Sequence, residues 1–153
     1  MDISVLSKQP QFVQSVSTMI YKEFVINSAS TKSLAAVEEF FSATKENTFP
    51  ITFVAVVDAH CVGTVSIFEN DCVDRPQYRP WLASLFVEPE YRSQKRGEQL
   101  IACLLNHLKQ LGYAEVFLKT ENTSDYYKKR GWQLIESVKN SENEVVDIFK
   151  YTI

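Results

Sequence analysis

The spacing of apolar residues changes along the chain, and each change marks an element. Ile3 to Leu6 alternates weakly and predicts a first strand. Pro10 then opens a stretch in which Phe12, Val13, Val16, Met19, Ile20 and Phe24 follow the roughly 3.6-residue period of a helix. Proline suits the first helical position because its missing N–H would be unpaired there anyway. A second helical stretch, Ser33 to Thr44, carries Leu34, Val37, Phe40 and Phe41 on one side, with Thr31 or Ser33 as its cap. From Pro50 the pattern becomes strand-like. Ile51–Val57 and Cys61–Phe68 are β-branched and aromatic and flank the turn candidate D-A-H, which predicts a hairpin with Gly63 just inside its second strand. Glu69 to Arg79, with D-R-P and Y-R-P, reads as a loop, and Trp81–Val87 as a strand stopped by Pro89.

The strongest helix runs from about Lys95 to Leu111. Leu100, Ile101, Leu104, Leu105, Leu108 and Leu111 form one apolar stripe, and Gly112 closes it. Val116–Leu118 is a short strand. Thr123 or Ser124 caps a short helix that runs to Arg130 and ends at Gly131. Strands near Gln133–Val138 and Val145–Tyr151 complete the order β-α-α-β-β-β-α-β-α-β-β. This order implies an α/β fold with a mixed sheet and helices on its faces. The passage from Trp81–Val87 through the long helix to Val116–Leu118 is expected to be a right-handed parallel crossover.

A chain of 153 residues suits one domain over residues 1–153. With 45% hydrophobic and 23% charged residues it is neither disordered, collagen-like nor a coiled coil. No apolar run approaches the roughly 20 residues of a membrane span. The opening M-D-I-S-V-L-S-K lacks a secretory pattern, so a cytoplasmic location and no membrane partner are expected. Cys61, Cys72 and Cys103 form no C-x-x-C pair, and with His60 and His107 isolated no metal site is expected. A net charge of -3 argues against nucleic-acid binding and suits a cationic or neutral substrate. Glycine is scarce, with four in all: Gly63, Gly97, Gly112 and Gly131.

The turn before the long helix carries the candidate chemistry. A strand feeding a helix N-terminus exposes unpaired N–H groups and the positive end of the helix dipole, an arrangement that binds phosphate-type anions. Arg92, Lys95 and Arg96 add positive charge there, and Gly97 lets the backbone approach closely. By itself R-S-Q-K-R reads equally as a solvated basic turn, and no G-x-x-x-x-G-K-[ST] occurs.

W-L-A-S-L-F-V-E-P-E-Y-R-S-Q-K-R-G-E-Q-L-I, followed by T-E-N-T-S-D-Y-Y-K-K-R-G-W, resembles the GNAT superfamily of N-acetyltransferases. That family's signature is V-x-P-x-Y-R-G-x-G-[IV]-G, then F-Y-x-x-x-G-[FW] after the next strand. The resemblance covers essentially the whole chain. It implies a mixed, mostly antiparallel twisted sheet of about seven strands flanked by four helices. It also implies acetyl-coenzyme A as co-substrate and a small-molecule or peptide amine as acceptor, with a homodimer open by analogy. Leu85, Phe86 and Val87 would then meet the pantetheine arm, and Arg92, Ser93, Gln94, Lys95, Arg96 and Gly97 would wrap the pyrophosphate, with Glu98 beside them. Asn122 sits where relatives have a polar contact to the cofactor. Tyr127 matches the tyrosine that serves the departing thiolate.

One departure stands out. The family's [QR]-x-x-G-x-[GA] reads here Arg92, Ser93, Gln94, Lys95, Arg96, Gly97, so Lys95 replaces the middle glycine and Ser93 another common one. Either the Lys95 Cβ crowds the phosphates, if the backbone there needs φ > 0, or its side chain points outward and its ammonium supplements the site. A non-catalytic acyl-coenzyme A-binding module is the alternative to an enzyme.

Acetyl transfer needs a neutral amine, and removing a proton from a lysine-like amine at neutral pH costs about 4.6 kcal/mol, so a base is expected. Glu69, Asp71 and Asp74 lie at the end of a strand and in the loop before Trp81; Glu69 is preferred, because it ends the strand expected beside Trp81–Val87. Ser84 is a lesser contributor through water, and a backbone N–H of the strand ending at Val87 would polarise the carbonyl. Of the two adjacent tyrosines, Tyr126 is expected to pack and Tyr127 to function. No activated cysteine is visible, so transfer is expected to be direct.

Overall fold

The computed structural model describes residues 1–153. Its strands are β1 (Asp2–Val5), β2 (Ile51–Val57), β3 (His60–Phe68), β4 (Trp81–Val87), β5 (Glu115–Thr120), β6 (Gln133–Lys139) and β7 (Val145–Thr152). The helices are α1 (Val13–Ile20), α2 (Leu34–Ser42), α3 (Arg96–Gln110) and α4 (Ser124–Lys128). One sheet takes all the strands in the order β1-β2-β3-β4-β5-β7-β6, with every neighbouring pair antiparallel except β4 and β5. The expected mixed, mostly antiparallel sheet and parallel crossover are present.

Strand β2 is apolar at every position but Thr52, whose buried hydroxyl pairs with that of Ser66 at 2.7 Å, because both of its faces are covered. Ile51, Phe53 and Ala55 point into the larger core, against Leu100, Leu104 and Leu108 of α3. Val54 points the other way, to Val16, Ile20, Val37 and Phe41 of the first two helices. The hairpin between β2 and β3 turns on Asp58 and Ala59, whose φ values of 49° and 67° match the twist of the flanking strands. Ser33 caps α2 as expected, its Oγ accepting from the Ala36 N–H at 3.1 Å.

The first helical stretch departs from its prediction. A 3-10 turn at Pro10–Phe12 precedes α1, and a wider π-helical turn at Tyr21–Val25 follows it. That turn breaks the 3.6-residue phase, so Phe24 leaves the apolar stripe and stands 43% exposed while Val25 goes inward. The cap of α4 also differs. Thr123 makes no capping bond, and Ser124 instead donates to Asp147 Oδ2 on β7 at 2.6 Å, tying α4 to the sheet.

The loop 69–80 is packed down. Tyr78 stacks on Phe117 at 4.8 Å and 16°, over a small cluster of Trp81, Phe117 and Ile148. Arg75 Nε donates to both carboxylate oxygens of Glu136 on β6 at 2.9 and 3.0 Å, and the Tyr78 hydroxyl donates to the same carboxylate at 2.8 Å. These bonds from Arg75, then Tyr78, hold the Glu136 carboxyl below its usual range.

Strands β4 and β5 meet only at Trp81↔Phe117. Between Ala83 and Phe86, β4 advances three residues while β3 advances two, from Ser66 to Thr64, so β4 carries a bulge. Ser84 sits in it at φ 54°, a left-handed conformation that non-glycine residues avoid. Beneath the bulge Gly63 admits the β4 backbone: a Cβ there would lie 3.1 Å from the Phe86 carbonyl oxygen and 3.3 Å from Leu100 and Val87. Gly63→Ala is expected to destabilise the fold by about 1–3 kcal/mol, read as a lower denaturant midpoint at unchanged slope.

Candidate functional site

The opening between β4 and β5 forms two adjoining clefts. The smaller, about 380 Å³, lies between the β4 end and the start of α3 and is lined by Leu85, Phe86, Val87, Arg92, Ser93, Lys95, Gly97 and Glu98, with Arg130 and Glu23 at its edges. The larger, about 820 Å³, runs along the gap itself past Ser84, Leu118, Asn122, Tyr127 and Asp71. Leu85, Tyr126 and Glu23 border both.

The small cleft gathers most of the residues that the sequence assigned to a pyrophosphate site; Gln94 and Arg96 fall outside its lining. Lys95 precedes α3 with φ 57°, ψ 25°, and no side chain caps the helix. The N–H groups of the first helical turn have no acceptor within the helix, so they face the cleft with the dipole's positive end behind them. Lys95 does hold the positive φ that its replacement of a glycine put in question, and its side chain is exposed. At Gly97 an added Cβ would meet only the Tyr126 hydroxyl, at 3.9 Å, so the space over this residue is open.

The arginines of the turn are folded back. Arg92 Nε donates to the Val87 carbonyl at 2.7 Å, and its guanidinium lies 5.2 Å from the Phe86 ring centroid. Arg96 donates to the Tyr91 carbonyl at 3.1 Å and covers the Tyr91 ring, while its buried Nε has no partner. Arg130 is the residue that sequence reasoning missed. It pairs with Glu98 at 2.6 Å and lies 3.6 Å above the Tyr126 ring. The available signal was its place four residues after Tyr126, one helical turn on, where its guanidinium also donates to the Tyr126 carbonyl at 2.9 Å.

In the larger cleft both tyrosines take part. Tyr126 is half-buried and borders both clefts, against the expectation that it only packs. Tyr127 is 9% exposed, set edge-on to Tyr126 and Trp132 with centroids 5.1 and 5.9 Å away. Burial, then its neighbour Tyr126, pushes the Tyr127 hydroxyl up to about 12. That hydroxyl remains protonated at physiological pH and so keeps a hydrogen to donate.

The carboxylates are redistributed. Glu69, the preferred base from sequence, lines neither cleft; it is exposed and ion-paired with Arg79 at 3.4 Å. Asp74, also considered, lines neither. Asp71 lines the larger one. Burial pushes its carboxyl up to about 6, with Lys119 opposing, and the Lys119 ammonium donates to the Asp71 main-chain oxygen. The loop 69–80 leaves the end of β3, so adjacency in the strand carries no information about which acid faces inward. No group of His, Cys, Asp and Glu is arranged to hold a metal ion.

Known proteins share this architecture. The aminoglycoside 6'-N-acetyltransferase complexed with coenzyme A superposes with a TM-score of 0.78 at 17% identity, covering 99% of this chain and 97% of that one. The aminoglycoside 6'-N-acetyltransferase from Enterococcus faecium gives a TM-score of 0.75 at 17% identity with the same coverage. Such identities speak for the fold. In sequence, the amino-acid acetyltransferase of Pasteurella multocida (strain Pm70) is 36% identical over 55 residues, which span 36% of this chain and 12% of that relative's length. The model of the Acetyltransferase (GNAT) family matches residues 17–132, from α1 through both clefts to Trp132. The strand that opens, the helix that starts beside it and the tyrosine pair all fall inside that match, and the chain belongs to the GNAT family of acetyltransferases.

Proposed function

We propose that the protein transfers an acetyl group from acetyl-coenzyme A to a primary amine by direct attack in a ternary complex. The observation that carries this reading is the meeting of two clefts of different charge at Leu85 and Tyr126, beside the free edge of β4.

The small cleft fits the coenzyme. Its open space over Gly97 and the uncapped start of α3 suit an oxygen-rich anion. Arg92, Ser93, Lys95 and Arg96 would hold the diphosphate with the main chain of Gln94, Gly97 and Glu98, and Arg130 would join them. Leu85, Phe86 and Val87 offer the amide-bearing arm a strand edge without a β5 partner, its Val87 carbonyl held by Arg92, and Asn122 a polar contact. The coenzyme supplies the activated acetyl thioester.

The remaining steps belong to this chain. Asp71, elevated to about 6, takes a proton from the acceptor ammonium, directly or through water, and remains a base at neutral pH. The freed nitrogen lone pair attacks the thioester carbonyl carbon; a C–N bond forms, the C–S bond breaks with its electrons leaving on sulfur, and the nitrogen's second proton passes through water to that sulfur to give the free thiol. A β4 N–H near the bulge stabilises the carbonyl oxygen as it gains charge. Tyr127 donates a hydrogen bond to the leaving sulfur. Full proton transfer from a hydroxyl near 12 to a thiolate of ordinary basicity (~8.5) is uphill by about 5 kcal/mol, so the bond to the thiolate is its main contribution.

Release of free thiol from acetyl-coenzyme A in an amine screen tests the reading; stabilisation by the coenzyme without thiol release across the screen would leave a binding module. Tyr127→Phe, which keeps the ring packing, is expected to lower kcat by about 10²-fold at unchanged melting temperature. Asp71→Asn is expected to lower kcat/KM by about 10²–10⁴-fold. It should also abolish the limb centred near pH 6, where wild-type activity rises with pH as the carboxyl ionises. Because Asp71 is raised in the folded state, its ionisation costs stability as pH rises from about 4 through about 6, so the same variant melts higher at pH 7. Lys95→Gly relieves the left-handed strain and raises stability by about 1 kcal/mol. Removing that cation is expected to weaken coenzyme A binding about threefold at low salt, read by calorimetry.

A further inference from the structure

The larger cleft is built from unequal charges. Glu23 enters it from the turn after α1, Asp71 from the loop 69–80, and Glu121 from the connection between β5 and α4. None of the three takes part in an ion pair within the chain, although five such pairs exist elsewhere on it. The cleft's one cation, Lys119, has its ammonium engaged by the Asp71 main-chain oxygen. Beside these carboxylates the wall carries apolar surface from Leu82, Leu118, Val146 and the partly exposed ring of Phe24, together with neutral polar groups of Ser84, Thr120, Asn122 and Thr123.

The neighbouring cleft has the opposite bias, with Arg92, Lys95 and Arg130 against Glu98 and the shared Glu23. At about 820 Å³ the larger cleft also holds far more than a single amine and its first carbon. Acids from three separate elements, in one cleft that also offers apolar surface, complement an extended molecule that has positive ends and an aliphatic middle. An acceptor with its own carboxylate, such as an amino acid, would bring a fourth negative charge to the same wall.

We propose that the acceptor is an alkyl diamine or polyamine: one amine is acetylated beside the β4 bulge while a second ammonium, a methylene chain away, is held by Glu121 and Glu23. This rests on the acetyl-transfer reading of the same site. The reaction then weakens its own product complex. The attacked ammonium becomes a neutral amide, so one of the two charges that hold the molecule disappears when the C–N bond forms.

The test compares α,ω-diaminoalkanes with monoamines of equal chain length, and with amino acids, by thiol release from acetyl-coenzyme A. In parallel, calorimetry measures their binding to the enzyme saturated with unreactive coenzyme A. The diamine is expected to exceed the monoamine by about tenfold or more in both kcat/KM and affinity, with the margin shrinking as added salt shortens the Debye length below about 8 Å. The mono-acetylated diamine is expected to bind about tenfold more weakly than its parent. Glu121→Gln and Glu23→Gln should each narrow the diamine-to-monoamine ratio through KM rather than kcat, whereas Glu39→Gln, on the exposed side of α2, should not alter it. Equal affinity for diamine and monoamine, or a preference for amino acids, overturns the proposal. Diamine preference in binding without any thiol release would support the diamine site and overturn acetyl transfer instead.

Discussion

The site depends on a break in the hydrogen-bond pattern in the middle of the sheet. Buried strands ordinarily pair along their full length, because an unpaired main-chain group away from water costs about as much as a lost hydrogen bond. Here β4 and β5 are joined at one residue pair and then separate, leaving two strand edges bordering a cleft. The bulge at Ser84 directs this. Its extra residue increases the local twist and turns β4 away, at the cost of a left-handed residue that carries a side chain, about 1–2 kcal/mol. A ligand with amide groups can restore part of the missing pairing, which gives the opening a use beyond access.

The surroundings keep the opening from closing. At one end Trp81, Phe117 and Ile148 lock the strands together under Tyr78, and Arg75 and Glu136 hold the loop 69–80 against the sheet. At the other end α3 is anchored by Leu100, Leu104 and Leu108, all fully buried, and α4 by its bond to Asp147. The same contacts fix two groups in the larger cleft. Asp71 rides on the pinned loop and Tyr127 on the docked helix, so rigid packing aims two titratable groups at one space.

Charge is arranged along the same path. Cations collect at the helix start, where the dipole already favours anions, and unpaired carboxylates collect in the gap. Arg130 and Tyr126 stand between, with the guanidinium over the ring and its partner Glu98 on the first turn of α3. A net charge of -3 spread evenly would give neither cleft a preference; its separation does.

The sequence by itself determined the element order, the leucine stripe of α3, the hairpin and the two motif blocks, because these rest on periodicity and on residues close together in the chain. Through the family those blocks resemble, it also singled out Lys95, Gly97 and Tyr127. Tertiary structure alone decided which acid faces the cleft, that Arg130 and Tyr126 join it, and that Phe24 leaves the core for its edge. Each of those outcomes depends on how a π-helical turn, a bulge or a pinned loop rotates a side chain by a fraction of a turn. Such rotations come from packing between residues tens of positions apart, and local spacing holds no record of them.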